Sequence, residues 1–177
     1  MINKLKITLL VLIIMLASML QAQSLRYKFT DHTRKYHGTL LHQIQATSTF
    51  VLVTGKVIMP GTKGGYIEST SNLQDGWVDD QAIVKGHAVV STGALVKDKA
   101  IISGNAVVEV GSIVEDSAKV SGHAIVTNHA RIVGNARISG HSIITANTSS
   151  DNKNNNAPSD IKSNFLLPKN TTVIKIK

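Results

Sequence analysis

The sequence contains no cysteine. That absence excludes a disulfide framework, a thiol nucleophile, a cysteine-type zinc site and a lipid-modified N-terminal cysteine. Aromatic residues make up only 4% of the chain although 42% of it is hydrophobic, so a core has to be assembled from Val, Ile, Leu and Ala. Such side chains favour a narrow, repetitive interior. With 177 residues there is room for one domain or one and a half, which excludes a large multidomain enzyme.

Acidic side chains are also scarce, 11 against 19 basic ones, for a net charge of +8. The surplus lies at the ends. Residues 76–147 carry six charges of each sign, whereas residues 23–75 carry six basic and three acidic groups and residues 148–177 carry five and two. A nucleic-acid binder needs a basic face interleaved with stacking aromatics, and neither is visible, so no nucleic-acid partner is expected. The basic ends read as solvated surface, or as a weak attraction to anionic envelope surfaces.

At the N-terminus, Asn3, Lys4 and Lys6 precede an apolar run over 7–20 that only Thr8 and Ser18 interrupt, with small Ala22 beyond it. This pattern predicts a cleaved secretory signal peptide over residues 1–22 and an exported protein, periplasmic or secreted. The run is shorter than the ~18 residues of a spanning helix, so membrane contact is expected only through the leader.

From Gly76 to Asn147 the chain divides into twelve hexads without insertion or deletion. The third position reads Val78, Val84, Val90, Val96, Ile102, Val108, Val114, Val120, Val126, Ile132, Ile138 and Ile144. After Gly76 the first position is always Ala or Ser, from Ala82 to Ser142. A period of six matches neither the 3.6-residue helix nor the two-residue strand. It matches short strands separated by turns that wind into a parallel β-helix, with both positions facing inward.

A longer period of eighteen appears at the bends. One corner reads Gly86-His87, Gly104-Asn105, Gly122-His123 and Gly140-His141. A second carries Asp80, Asp98, Asp116 and then Gly134; the third carries Thr92-Gly93, Val110-Gly111, Asn128-His129 and Ala146-Asn147. Gly and Asn supply left-handed backbone, and Asp can close a bend through its own side chain. The expected architecture is all-β: about four triangular coils of a single-stranded parallel β-helix.

These hexads resemble the hexapeptide-repeat left-handed β-helices best known from acyltransferases. Gly64-Gly65-Tyr66-Ile67-Glu68-Ser69, Asn72-Leu73 and Gly76-Trp77-Val78 further resemble the junction of YdcK-like hexapeptide proteins, where a short β-rich N-terminal segment feeds the helix. The resemblance covers roughly residues 26–147. The left hand of the coil is implied by it alone, since the usual crossover rule gives the opposite hand. The family name implies acyl transfer, yet a fold does not establish a function.

Outside the hexads, residues 23–75 read as a β-rich N-terminal cap of a few short strands, punctuated by His37-Gly38, Pro60-Gly61 and Gly64-Gly65. Such a cap would keep the solenoid from stacking into fibres. Residues 148–160, rich in Asn and Ser, read as a flexible loop, and residues 161–177 as a C-terminal segment ending in the alternating strand Val173-Ile174-Lys175-Ile176-Lys177.

The second hexad position faces outward. One face collects Val89, Val107, Ile125 and Ile143; another Trp77, Leu95, Ile113 and Arg131; the third Ile83, Ile101, Lys119 and Arg137. Burying four such aliphatic side chains would contribute about 6 to 12 kcal/mol before ordering costs. The apolar first face implies a cover: another copy of the chain, with a trimer implied by the resemblance, or the chain's own residues 26–75 or 161–177.

For chemistry, the resemblance implies a histidine general base in a cleft between subunits, with His123 and His141 as the catalytic candidates beside His87 on the same corner and His129 on another. Acyl-CoA would be the cofactor in that reading alone. No loop walls in an acceptor, however, and an exported protein meets little acyl-CoA. A γ-carbonic-anhydrase-like zinc site is the weaker alternative, because His129 follows His123 by six residues rather than that family's five. The Asp80, Asp98, Asp116 column suits turn closure better than Ca²⁺, and Thr127 and Thr145 share their column with Ser91 and Glu109, too irregular for an ice-binding surface. The expectation is an exported solenoid with a structural or binding role, without catalysis, cofactor or metal.

Overall fold

The computed structural model describes residues 25–146. The leader over 1–22, the loop over 148–160 and the closing segment over 161–177 lie outside the described residues.

The first three elements with regular pairing are β1 (Tyr27–Tyr36), β2 (Thr39–Ala46) and the two-residue β3 (Phe50–Val51). β4 (Val57–Ile58) and β5 (Lys63–Ile67) follow, then a single 3-10 turn at Thr70–Asn72. The hexads then fold as β6 (Trp77–Val78), β7 (Ile83–Val84), β8 (Val89–Val90), β9 (Leu95–Val96), β10 (Ile101–Ile102) and β11 (Val107–Val108). They continue as β12 (Ile113–Val114), β13 (Lys119–Val120), β14 (Ile125–Thr127), β15 (Arg131–Ile132), β16 (Arg137–Ile138) and β17 (Ile143–Thr145). Each hexad therefore gives one strand and one turn.

Strands eighteen residues apart pair in parallel, so every coil adds one strand to each of three sheets: β6-β9-β12-β15, β7-β10-β13-β16 and β8-β11-β14-β17. The fold is a parallel β-solenoid of about four coils. Its ladder bonds run from coil to coil, as in Ile83 N–H to Ala100 C=O at 2.9 Å and Ile101 N–H to Ala118 C=O at 2.9 Å. The Val/Ile column and most of the Ala column are fully buried and form one continuous apolar cluster. Small Ala next to branched Val or Ile fills a tube with room for few larger groups, which is why so few aromatics are needed.

The turns differ by column as the sequence suggests. Where strands of the third sheet hand over to the next coil, two successive residues take positive φ, as at Thr92 (48°) and Gly93 (71°), or Asn128 (55°) and His129 (61°). The Asp column also takes positive φ, 53° at Asp80 and 60° at Asp98 and Asp116. Its carboxylates do not close their own bends. They accept backbone N–H groups of the next coil: Asp98 Oδ2 accepts the Asp116 N–H at 3.1 Å, and Asp116 Oδ2 accepts the Gly134 N–H at 2.8 Å. The side chains thus extend the coil-to-coil ladder through a bend.

The N-terminal region departs from the expected short strands: β1 has ten residues and β2 eight. They form a hairpin over His37 and Gly38, whose φ values of 47° and 81° are those of a tight two-residue hairpin turn. β2 pairs antiparallel with β5, and β5 pairs parallel with β7, so the hairpin extends one solenoid sheet to seven strands. Gly64 and Gly65, expected to mark a turn, lie inside β5 instead. A Cβ on Gly64 would sit 2.5 Å from the Val78 carbonyl, and one on Gly65 2.7 Å from that of Ala82. Their role is close backbone approach.

Two further contacts fix the cap. The Tyr27 hydroxyl donates to the carbonyls of Leu73 (3.1 Å) and Thr70 (3.2 Å), and burial pushes its pKa up to about 12. The β3–β4 hairpin lies over the β6-β9-β12 face, where Phe50 meets Trp77 edge-on at 5.3 Å and Lys56 pairs with buried Asp79 at 2.7 Å. That cover accounts for the burial of Trp77 and Leu95. The column Val89, Val107, Ile125, Ile143 does stack in register, with its first three members half-buried and Ile143 58% exposed.

Candidate functional site

The histidine column comes together on one turn edge. His123 and His141 stack with ring centroids 4.7 Å apart and planes within 1°, and Asn105 Nδ2 lies 3.2 Å from His123 Nε2. The arrangement follows from Gly104, Gly122 and Gly140, whose positive φ sets successive bends directly above one another. All three side chains, and His87, are exposed. His129 stands apart, its ring against Gly111 on another edge. Among the described residues no group of three or more His, Cys, Asp or Glu is placed to hold a metal ion.

The β6-β9-β12-β15 face carries a paired charge network. Glu115, only 4% exposed, accepts from Lys97 at 2.7 Å and from Arg131, and Lys97 also reaches Asp98 at 2.9 Å. The bond to Glu115 holds the Lys97 ammonium above the ordinary lysine range, with the bond to Asp98 adding to it. The bond from Lys97 in turn holds the Asp98 carboxyl below the usual carboxylate value. Acids and bases here satisfy one another, which suits a structural clasp.

The outer face of the seven-stranded sheet is different. Its second and fourth hexad positions both point outward, flanking the buried Val/Ile column. The second gives Ile101, Lys119 and Arg137; the fourth gives Lys85, Ser103, Ser121 and Ser139. Together with Tyr36 from the end of β1 they line an open groove of about 320 Å³ that spans all four coils. With ~4.8 Å between neighbouring strands, its cations spread over roughly 15 Å. Lys119 and Arg137 are direct partners in the β13–β16 pairing. Among the described residues Lys85, Lys119 and Arg137 form no ion pair, and no carboxylate lines the groove.

The N-terminal hairpin builds the groove's wall. Arg34 bonds the side-chain and backbone oxygens of Gln81, each at 2.8 Å, and lies over the Tyr66 ring at 3.7 Å. This clamp holds β1 across the sheet and sets Tyr36 beside Lys85, whose ammonium is 5.8 Å from the ring centre. Sequence reasoning placed Lys119 and Arg137 on this face but missed Lys85, the serines and Tyr36. The eighteen-residue spacing of Lys85, Ser103, Ser121 and Ser139 was a usable signal; the return of Tyr36 was not, because it depends on a long-range hairpin.

The groove is thus equipped to hold negative charge and hydroxyl groups, and the neutral charge count of residues 76–147 conceals it by averaging faces of opposite character. No known family model matches the chain, and no curated protein matches it.

Proposed function

We propose that this chain is an exported β-solenoid that binds rather than catalyses, coiled in the left-handed hexapeptide manner and assembling with its own copies along Val89, Val107, Ile125 and Ile143, as a trimer. The observation that carries the reading is the groove: among the described residues, three cations without acidic partners share one hydroxyl-lined face, whereas the buried carboxylates Asp79 and Glu115 are paired. Like charges gathered on one face repel one another, so their placement suits an external anion. The histidines support no comparable argument, since their contacts are with each other and with Asn105.

The test is a search for turnover. Purified mature protein is incubated with acetyl-CoA or succinyl-CoA and a broad panel of hydroxyl and amine acceptors, and free thiol is followed. The expected outcome is no release above the protein-free control, with wild type, His123→Ala and His141→Ala indistinguishable. Turnover that disappears in either variant would make the protein an acyltransferase and remove the binding-only reading.

A further inference from the structure

Building on the reading of the protein as a binding module, we propose that the groove takes an anionic glycan, laid along the solenoid axis across the four coils. Its acid groups meet Lys85, Lys119 and Arg137, and its hydroxyls meet Ser103, Ser121 and Ser139.

Three features select this class. Lys119 and Arg137 are neighbours on the third and fourth coils while Lys85 stands two coils before Lys119, so the three together are too far apart to meet on one small anion but well placed along an extended one. Between them lie serines, whose hydroxyls both donate and accept, matching sugar hydroxyls that do the same. A ligand with acceptors only would use half of that capacity. The single aromatic in the groove, Tyr36, offers one apolar surface at the end of the track and no succession of stacking platforms such as a nucleic acid strand requires. An acidic peptide would seek backbone partners from a free strand edge, which the groove meets only at β16 among the described residues, whereas its length is made of side chains on the sheet face.

The experiment is calorimetric titration of the full mature chain with an oligogalacturonate, and in parallel with a neutral glucan oligomer, a polyglutamate and a single-stranded oligonucleotide of similar charge. Oligogalacturonate is expected to bind saturably and more weakly as salt rises. Lys119→Ala and Arg137→Ala should each weaken it about tenfold, the lower end for a hydrogen bond to a charged group, as befits an open groove. Lys99→Ala removes the same charge from a turn outside the groove and should leave affinity within about twofold, while circular dichroism confirms that all variants fold. Ser121→Ala should weaken binding without altering its salt dependence. The glycan proposal is overturned if oligogalacturonate does not bind, or if Lys99→Ala costs as much as Lys119→Ala. It is also overturned if the oligonucleotide or polyglutamate binds as tightly as the glycan and loses as much in Lys119→Ala and Arg137→Ala. In that last case the groove still binds and the broader reading survives; loss of the broader reading would require the acyl-transfer turnover described above.

Discussion

Replacing Asn72 by leucine is expected to destabilise the protein by roughly 3 to 5 kcal/mol, measured as a shift of the chemical unfolding transition. Asn72 is fully buried at the junction between cap and solenoid. Its Nδ2 donates to the carbonyls of Gly86 (2.9 Å) and Ala88 (2.8 Å), and its Oδ1 accepts the Ser69 N–H at 2.8 Å. Leucine has a similar volume but none of these groups, so three backbone partners lose their bonds together. A buried orphan such as the Ala88 carbonyl costs about 1 to 3 kcal/mol, and the part-buried Gly86 and Ser69 groups add less each. Asn105→Leu is the control: Asn105 is exposed and bonds only the His123 ring, so its loss should stay below ~1 kcal/mol.

A comparable loss is expected from Gly122→Ala. Gly122 has φ of 70°, which alone disfavours alanine by about 1 to 2 kcal/mol. Its new Cβ would also lie 2.8 Å from the amide nitrogen of Gly140 and 2.9 Å from its carbonyl oxygen. Backbone held by the coil-to-coil ladder cannot retreat as a flexible side chain would, and overpacking of this kind adds ~1 to 3 kcal/mol. The total is about 2 to 5 kcal/mol. Gly93→Ala isolates the first contribution, since Gly93 has φ of 71° and nothing within 4 Å of its Cβ direction. If both variants lost the same stability, the stacking of successive bends would have no energetic consequence.

The contrast between those glycines shows what can be read from a linear sequence. Positions six and eighteen apart repeat without interruption, so the buried column, the three sheets and the membership of each turn column were legible before any coordinates. Local periodicity dictated them. The cap was much less so. β1 is a ten-residue strand, yet its side chains are mostly exposed on both faces, and the alternation that marks a half-buried strand is missing. Gly64 and Gly65 looked like punctuation because their true constraint, close approach of the Val78 and Ala82 carbonyls, lies in the first coil.

The candidate site divides in the same way. His123 and His141 were correctly expected to share an edge, and their spacing is purely a matter of the repeat. The groove depends on the repeat for its lysine and serine ladder, but also on Arg34 holding the hairpin against Gln81 so that Tyr36 reaches Lys85. No count of charges along the chain separates Lys97 and Arg131, which are paired, from Lys119 and Arg137, which have no ion pair among the described residues, because only the fold puts Glu115 between the first two.

The groove exists only if residues eighteen apart are neighbours on one face, and the cysteine-free sequence permits a clean test of that register. Ser103→Cys with Ser121→Cys places two cysteines directly after the paired strands β10 and β13, where backbones run ~4.8 Å apart, within the span a disulfide can bridge. Ser103→Cys with Ser139→Cys separates them by two coils, roughly 10 Å. Under mild oxidation, mass spectrometry should find the first pair joined within the monomer and the second still reduced. A first pair that stays reduced while the second closes would contradict the register, and with it the groove.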